Sequence, residues 1–517
     1  MGQKLTSDSF NLLDCTIRDG GYYTNWDFNE ALIEQYLETM RVSGIDALEI
    51  GYRNPPVEEY KGEYFYTPVE RIRWIKERFD GELAVLIDVK NVDETSIANL
   101  IQPLSGLIEL IRFAVHPDKL SNARKLAACA KEIGFKVALN VMYFSTWWDN
   151  DSVIYQLIQA RQFADYIYLV DSFGASYPNQ VYTAVEKLAS AGVPVGFHGH
   201  NNLELALANT LEAKRAGAKI IDSTITGMGR GAGNLKTELL LAAMYGKTQQ
   251  PSQLKVLSDL VERFEELRAT YGWGTSLPYM VAGAWSFPQG KVMDWITTRY
   301  YPLQEVVTGL GEIVQNSEPA QYEIFKFETP YAECLIIGGG ESVELHQRAI
   351  ERLLSERPEM LVVFASSRHY MRFKSIPNKQ VVVIVGNESE RLRSQLNSWD
   401  DFSGICVIPC PPRELPEIIP HELKSKVREM TFPKIFDAMS SHTSVAIEIC
   451  ALAQAKSIFV CGYDGYIENH FSGKTRAIHL ENESLFNQAN LSGLSLKSVT
   501  PTSYSHLLKS SIYALHS

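Results

Sequence analysis

Residues 195–226 read VGFHGHNNLELALANTLEAKRAGAKIIDSTIT, two short apolar runs separated by a longer stretch of different periodicity. The runs at 195–197 and 219–226 have the length and apolar content of buried strands. The stretch between them predicts a helix that stops at Gly217, because small and apolar side chains recur at helical spacing. These side chains are Leu203, Ala206, Leu207, Thr210 and Leu211. Strand, helix and strand in this order indicate a parallel sheet covered by helices.

The same alternation extends from Asn11 to about Gly246. The strand-like runs occupy residues 11–15, 46–51, 83–89, 108–115, 136–142, 166–170, 195–197 and 219–226. Eight strands alternating with helices predict a closed (β/α)8 barrel, the TIM barrel, rather than an open sheet. Reactive groups in such barrels lie at the carboxyl ends of the strands. Polar residues follow most of these runs: Arg18, Asp19, Glu49, Asp88, His116, Asp171, Ser172, His198 and His200.

The rest of the chain predicts two further regions. Residues 251–330 are helical and aromatic-rich, and we expect them to complete the barrel domain of residues 8–250 or to form a subunit interface. Strand-like runs follow at 334–337, 361–364, 381–385, 404–408 and 457–460. They predict a doubly wound, Rossmann-like α/β domain over residues 331–517. Its glycine turn at 338–340 either binds a phosphate or only lets the chain turn.

The composition, with 45% hydrophobic and 21% charged residues, is that of an ordinary soluble globular protein. A net charge of −12 argues against nucleic acid or an anionic membrane surface as a partner. No run approaches the ~18 to 20 apolar residues of a membrane helix. Seven cysteines without a C-x-x-C spacing predict reduced thiols and a cytoplasmic location. We expect small-molecule substrates and a homodimer.

The His198-Gly199-His200 motif predicts a metal site. Residues two apart on a strand point the same way, so both imidazoles project together at the end of the seventh strand. Asp19, just after the first strand, would add a carboxylate across the barrel mouth, and such a set binds divalent metals. The alternative is two histidines that face solvent or are hydrogen-bonded in the core.

Two motifs flank this site in the predicted barrel. Arg18 stands next to Asp19 and would supply a permanently charged donor to a developing enolate oxygen. The glycines of residues 227–233 could bind a phosphate or carboxylate through backbone N–H groups, or could merely let the chain turn. Asn234, at the end of this segment, could reach the metal as an oxygen ligand.

These motifs together resemble a known family. They are D-C-T-I-R-D-G at 14–20, H-G-H at 198–200 and G-R-G-A-G-N at 229–234. Their combination resembles the HMG-CoA lyase-like metal-dependent TIM-barrel superfamily, and within it the chain looks most like the 4-hydroxy-2-oxovalerate aldolases, over roughly residues 8–290. The resemblance implies that Asp19, His198 and His200 bind Mn²⁺ or Mg²⁺, with Asn234 close by.

The resemblance also implies roles for three further side chains. Arg18 would stabilise a pyruvate enolate, and Ser172 would help to hold the substrate carboxylate. Glu49 matches an acidic position near the site of several relatives and is a candidate catalytic group. A charge partner for Arg18 is the alternative role of Glu49.

One position departs from the aldolases that the chain resembles. They carry a histidine as the acid/base group where this chain has Tyr22. A phenol, with a pKa of about 10, is a poor base unless nearby cations lower that pKa. Either Tyr22 beside the metal takes over this role, or another group such as His116 does. We also expect His116 to contact the substrate.

The resemblance therefore implies a class II type aldolase, a metal-dependent carbon–carbon lyase. Such an enzyme joins pyruvate or another 2-oxo acid to an aldehyde, including a sugar-derived one, or cleaves the adduct. A Claisen-type acyl-CoA lyase or synthase and a barrel that only binds metal and ligand stay open as alternatives. Segments 441–448 and 458–465 loosely resemble Rossmann-like domains of bacterial surface-polysaccharide proteins. That second resemblance would imply a bifunctional protein with nucleotide-sugar chemistry.

Overall fold

The computed structural model of the 517-residue chain describes residues 11–58, 60–245, 251–297, 303–314, 322–410, 419, 421–431, 433–436, 441–466 and 473–516. The chain divides into two compact units, Met1–Met293 and Asp294–Ser517. Within the described ranges, no helix combines the length and the apolar character needed to cross a membrane. Cys15, Cys129, Cys334, Cys406, Cys450 and Cys461 are free thiols.

The first unit contains eight parallel strands that close into a barrel in chain order, with the last strand paired to the first. The strands are β1 (Asn11–Asp14), β2 (Ala47–Tyr52), β3 (Glu82–Asp88), β4 (Leu110–Val115), β5 (Lys136–Val141), β6 (Tyr166–Asp171), β7 (Val195–Gly199) and β8 (Ile220–Ser223). The predicted TIM barrel is confirmed. β8 is shorter than the apolar run that predicted it, because the chain turns at Thr226, which has a left-handed backbone (φ 51°).

Helices follow the strands around the barrel. They are α1 (Thr16–Thr24), α2 (Glu30–Ser43), α3 (Glu63–Tyr66), α4 (Val69–Lys76), α5 (Glu94–Ile101), α6 (Leu120–Ile133), α7 (Asp151–Ala160), α8 (Pro178–Ser190), α9 (Ala206–Arg215), α10 (Thr237–Tyr245), α11 (Pro251–Tyr271), α12 (Leu277–Ala284) and α13 (Gln289–Thr297). Local signals set their ends: the Asn29 side chain accepts from the Leu32 N–H at the start of α2, and Gly44 ends α2 with φ 78°.

The barrel interior has an apolar layer and a polar layer. The apolar layer includes Leu13, Ala47, Ala84, Leu110, Ala138, Tyr168 and Ile220. Side chains two positions apart on a strand share a face, so the next inward positions on four strands are Glu49, Arg112, Asn140 and Asp222. All four side chains are buried. The barrel thus places charged groups beneath the mouth at the carboxyl ends of its strands.

The second unit is built on a parallel sheet in the order β13-β12-β11-β10-β9-β14-β15-β16. Its strands are β9 (Glu333–Ile337), β10 (Leu361–Phe364), β11 (Gln380–Val383), β12 (Ile405–Ile408), β13 (Val427–Glu429), β14 (Ser457–Cys461), β15 (Leu496–Ser498) and β16 (Leu508–Lys509). Apolar cores cover both faces, because alternate side chains of β9 enter different clusters. The predicted doubly wound α/β domain is confirmed. The strands missing from the prediction have three or fewer residues, too short to show a periodicity.

The helices of this unit include α14 (Leu303–Val314), α15 (Ser342–Leu345), α16 (Gln347–Glu356), α17 (Tyr370–Phe373), α18 (Glu388–Gln395), α19 (His442–Leu452) and α20 (Gly473–Leu491). The glycine turn before α15 receives a carboxylate of its own chain. Asp464 accepts two hydrogen bonds from Ser342, one from the backbone N–H at 2.9 Å and one from the side-chain hydroxyl. A Cβ atom on Gly340 would lie 2.6 Å from Cγ of Asp464. The turn therefore has the structural role and does not offer a phosphate site.

The second unit begins before the residue that the sequence indicated. Phe325 is buried in the core of its sheet, and its N–H donates to the Glu429 carbonyl at 2.7 Å. Phe327 packs against the same core. The compact units divide at Met293–Asp294, within α13, and we therefore propose that the domain boundary lies between this point and Phe325, in place of the expected start at residue 331.

Candidate active site

A cavity of about 450 Å³ lies at the carboxyl ends of the barrel strands. Six of the residues that the sequence singled out line it: Arg18, Asp19, Tyr22, Ser172, His198 and His200. Asn234 lies beside the cavity, hydrogen-bonded to Asp19. Glu49 and His116 are not among the lining residues.

The two histidines lie side by side, with ring centroids 5.0 Å apart. Nδ1 of His198 is 2.8 Å from Oδ2 of Asp222, and Nδ1 of His200 is 2.7 Å from the carbonyl oxygen of Asp171. A carbonyl oxygen only accepts, so Nδ1 of His200 carries the proton and Nε2 keeps its lone pair. Burial, assisted by His198, lowers the pKa of His200 to about 4. His200 is therefore neutral near pH 7, as a metal ligand must be.

Asp19 lies in α1, directly after β1, and faces the histidines. Its Oδ2 is 3.6 Å from Nε2 of His198 and accepts from Nδ2 of Asn234 at 2.6 Å. Burial alone would raise the pKa of Asp19, but Arg18 and the histidines hold it below its usual value. Oδ1 of Asn234 is buried and accepts no hydrogen bond from the described residues. The carboxylate, two imidazoles and this amide oxygen form one donor set.

This donor set fits a divalent cation that prefers oxygen and nitrogen ligands. Cys15 is the other donor nearby, since its Sγ and the ligand atoms of Asp19 and His198 lie within 4.8 Å of one another. Burial raises the pKa of Cys15 well above its usual value, and its thiol contacts the Ser223 carbonyl at 3.5 Å. The thiol is protonated and already has an acceptor. We therefore propose Asp19, His198 and His200, with Asn234, as the metal ligands.

A buried network of charges supports the donor set from below. Arg18 donates to Oε2 of Glu49 and to Oδ1 of Asp19, both at 2.5 Å. Arg112, fully buried, lies 3.1 Å from Oε1 of Glu49 and 2.5 Å from Oδ2 of Asp222. The pKa of Asp222 is lowered because Arg112 and His198 outweigh its burial. Carboxylates and guanidinium groups therefore alternate from Asp19 to Asp222.

The position of Glu49 decides between its two expected roles. Its side chain is fully buried between Arg18 and Arg112 and does not reach the cavity. A carboxylate in this position fixes the guanidinium of Arg18 but cannot exchange a proton with a substrate. We therefore propose that Glu49 is the charge partner of Arg18, the second of its two expected roles.

Tyr22 lies in the cavity beside Asp19, where an acid/base group would act. Its hydroxyl is 2.8 Å from the hydroxyl of Tyr52, and its ring packs edge-on against Trp26. The guanidinium carbon of Arg230 lies 3.8 Å from the centroid of the Tyr22 ring. Among the described residues, the Tyr22 hydroxyl thus has one hydrogen-bond partner, and a cation lies over the face of its ring.

Of the two residues expected to contact the substrate beside Arg18, Ser172 lines the cavity and His116 does not. Ser172 lines the cavity, and its hydroxyl oxygen accepts from the N–H of Tyr143 at 2.9 Å. His116 has a side chain that is 48% exposed, and its Nδ1 accepts from the N–H of Asp118 at 3.3 Å. Its ring packs against Tyr143, 5.3 Å between centroids. His116 itself is not among the residues that line the cavity, so its expected substrate contact and acid/base role stay predictions.

Four functional residues escaped the sequence analysis. Arg112 and Asp222 are charged residues inside apolar strands, and buried charges need partners; that signal could have identified both. Arg230 and Gln289 also line the cavity. Gln289 accepts a hydrogen bond from the N–H of Ala232 at 3.0 Å, and no local sequence pattern predicts that contact.

Comparison with known proteins agrees with this fold. Residues 101–262 match the family model described as HMGL-like. The chain is 30% identical over 243 residues to the oxaloacetate decarboxylase of Mycobacterium tuberculosis, an alignment that covers 45% of this chain and 69% of that protein. It is 28% identical over 247 residues, with the same coverages, to a 4-hydroxy-2-oxovalerate aldolase of Pelotomaculum thermopropionicum.

A solved structure extends the likeness to three dimensions. The N-terminal domain of a Bacteroides vulgatus protein, provisionally assigned as an aldolase, is 41% identical to this chain with a TM-score of 0.54. The alignment covers 58% of this chain and 99% of that domain. Barrel and site together define a TIM-barrel protein whose cavity at the strand ends is lined by charged, imidazole and aromatic side chains. The chain belongs to the HMGL-like family, as its three motifs implied.

Proposed function

We propose that the barrel is a divalent-metal-dependent aldolase that joins pyruvate, or another 2-oxo acid, to an aldehyde or cleaves the adduct. The observation that carries this proposal is the convergence of Asp19, His198, His200 and Arg18 on one cavity. A divalent cation held there would polarise the 2-oxo acid and lower the cost of removing a proton from its methyl group. The similarity to a 4-hydroxy-2-oxovalerate aldolase supports the same chemistry.

Arg18 would stabilise the charge that develops on the substrate oxygen. Its described hydrogen bonds, to Glu49 and Asp19, use Nε and one terminal nitrogen. The other terminal nitrogen is left for the substrate, and the two carboxylates hold the guanidinium in place before the reaction. A preorganised cationic donor of this kind stabilises an enolate more than the neutral ketone.

Ser172 would hold the substrate carboxylate. Because its oxygen accepts from the N–H of Tyr143, the hydroxyl proton is directed elsewhere and can be donated to an anion. Tyr22, across the cavity, would transfer the proton at the carbinol oxygen of the aldol adduct. Its hydrogen bond to Tyr52 gives that proton a path to a second phenol.

Decarboxylation of a 2-oxo diacid is a second candidate, favoured by the similarity to an oxaloacetate decarboxylase. Loss of carbon dioxide from oxaloacetate leaves a pyruvate enolate, the species that Arg18 would stabilise in the aldol reaction. The two reactions share the pyruvate enolate and differ in the group that leaves, an aldehyde in aldol cleavage and carbon dioxide in decarboxylation. Because the enolate is shared, the same variants of the chain can be assayed for both reactions.

Exchange of the pyruvate methyl protons with deuterium, followed by mass spectrometry, tests the proposal. We expect the intact protein to catalyse exchange with added Mn²⁺ or Mg²⁺, and chelation to abolish it. His198→Ala and His200→Ala should lose both exchange and tight metal binding. His506→Ala, which removes a partly exposed histidine of the second unit, is the matched control and should keep both.

Either of two results would remove the proposal. One is exchange that persists at the same rate after chelation, and the other is unchanged metal stoichiometry in the double histidine variant. Rapid consumption of oxaloacetate without turnover of any aldehyde would favour the second candidate instead.

A further inference from the structure

Two further cationic side chains line the same cavity as the histidines. Arg230 comes from the loop after β8, and Lys291 comes from the first turn of α13. Neither residue has a role in holding the proposed metal ligands. Both belong to the first unit.

Their charges are not matched within the described part of the chain. Arg18 and Arg112 each contact two carboxylates, and the carboxylate of Asp222 also bonds His198. No carboxylate of the described residues lies within ion-pair distance of Arg230 or Lys291. The charges of Arg18 and Arg112 are therefore compensated, whereas Arg230 and Lys291 carry two positive charges without an ion-pair partner among the described residues, in a protein of net charge −12.

The backbone around these two cations is fixed. Oε1 of Gln289 accepts from the N–H of Ala232, at 3.0 Å, which ties the loop after β8 to the start of α13. Gly231 has φ 62°, and a Cβ atom there would lie 2.5 Å from Oε1 of Gln289. The guanidinium carbon of Arg230 lies over the Tyr22 ring, 3.8 Å from its centroid, and a Cβ atom added to Gly290 would lie 3.9 Å from Nη1 of Arg230.

Such an arrangement favours an anion. A guanidinium stacked on an aromatic ring keeps its N–H groups in the plane, where they can donate to two oxygens of a carboxylate or phosphate. The amino-terminal end of α13 lies at the same place, and its dipole favours negative charge. The 2-oxo acid itself would use Arg18 and Ser172, so its carboxylate does not account for this second cationic end.

We propose that Arg230 and Lys291 form an anion subsite that selects acceptor aldehydes bearing a phosphate or a carboxylate. That the bound anion belongs to an acceptor aldehyde rests on the proposed function. The anion subsite itself follows from the unmatched charges. The aldehyde carbon would face the 2-oxo acid near Tyr22, and the anionic end of the molecule would lie between Arg230 and Lys291. A cavity of about 450 Å³ has room for both molecules.

Calorimetric titration of the full chain with unreactive probes tests the subsite without any turnover. The probes are glycerol 3-phosphate, glycerate and glycerol, which differ only in their anionic group. We expect at least one anion to bind and glycerol not to bind. Arg230→Gln and Lys291→Gln should each weaken anion binding by about 10- to 100-fold, the loss expected for a charged hydrogen bond. The stronger anion tells whether the natural acceptor carries phosphate or carboxylate.

Arg215→Gln is the matched control. Arg215 also stacks on a tyrosine, with its guanidinium carbon 4.0 Å from the centroid of the Tyr182 ring, but it lies on α9 and pairs with Glu212. This variant should bind the anions as the natural chain does. Equal anion binding by the natural chain, Arg230→Gln and Lys291→Gln would overturn the proposal, and so would anions that bind no better than glycerol.

A kinetic arm connects the subsite with the reaction. Condensation of pyruvate is measured with glyceraldehyde 3-phosphate, succinic semialdehyde and glyceraldehyde. The ratio of kcat/KM for a charged acceptor over the neutral one should fall by about 10- to 100-fold in Arg230→Gln, and an unchanged ratio contradicts the inference. Failure of the natural chain to exchange pyruvate protons would reject the aldolase, whereas the calorimetric arm would still decide the anion subsite.

Discussion

Asp222 shows how a residue outside the cavity can control a ligand inside it. Its Oδ2 accepts from Nδ1 of His198, which fixes the tautomer and leaves Nε2 for the metal. We expect Asp222→Asn to weaken Mn²⁺ binding by about 10- to 100-fold, the usual effect of removing such a partner. Calorimetric titration of the metal into the purified protein measures this loss independently of turnover.

Asp46→Asn is the control for the Asp222 variant. Asp46 precedes β2 at the amino-terminal end of the barrel, where its Oδ2 accepts from the N–H of Leu12 at 2.8 Å. Its substitution should leave the metal affinity unchanged. Equal metal affinities for the Asp222 variant and the natural chain would contradict an orienting role for Asp222.

Tyr22 gives the second prediction at the residue scale. If its hydroxyl transfers the carbinol proton, Tyr22→Phe should reduce aldol turnover by about 10²- to 10⁴-fold. Metal binding and exchange of the pyruvate methyl protons should stay near their natural values, because neither needs that proton. The comparison is kcat on an accepted aldehyde. Tyr22→Phe with an unchanged kcat and a raised KM would show that the phenol only recognises the substrate.

At the scale of elements, β2, β4 and β8 share one buried charge network. Arg112 of β4 lies between Glu49 of β2 and Asp222 of β8, all with side chains fully buried. Arg112→Met would leave both carboxylates without this partner. We expect a loss of about 3–5 kcal/mol in the free energy of unfolding, as measured when one member of a buried pair is removed.

Urea unfolding followed by tryptophan fluorescence measures this loss, since six of the eight tryptophans lie in the first unit. Arg124→Met, at an exposed arginine of α6, should change stability by no more than about 0.5 kcal/mol. Adding Asp222→Asn to Arg112→Met should recover part of the stability, because it removes one unpaired charge. A loss below that of the Arg124 control would mean that the network contributes nothing to the barrel.

At the scale of the whole molecule, the two units should separate under limited proteolysis. The compact first unit ends at Met293, and the second already includes Phe325 in its core. We expect a stable amino-terminal fragment whose end, read by mass spectrometry, lies between these residues. A fragment that ends instead within residues 326–333 would restore the boundary near residue 331 that the sequence indicated.

The sequence by itself determined the architecture. Strand and helix periodicities are local properties, so the eight strands could be counted in the sequence, and the helix predicted to stop at Gly217 is α9, which ends at Arg215. The sequence also predicted that His198 and His200 lie together, because residues two apart on a strand must share a face. It did not predict short strands such as β16, since two residues show no periodicity.

Only the tertiary structure decided which side chains meet. Closure of the barrel brings Asp19 to His198 and Arg112 to Asp222, pairs far apart in the chain. Equal positions at strand ends do not guarantee equal surroundings, since the His116 ring packs against Tyr143 and is not among the residues that line the cavity. The position of Arg230 beside Lys291 depends on Gln289, which accepts a hydrogen bond from Ala232 in a distant loop. No sequence periodicity predicts that contact. Local sequence patterns determine the helices and strands, whereas loop geometry and closure of the barrel determine the distances between atoms of different elements.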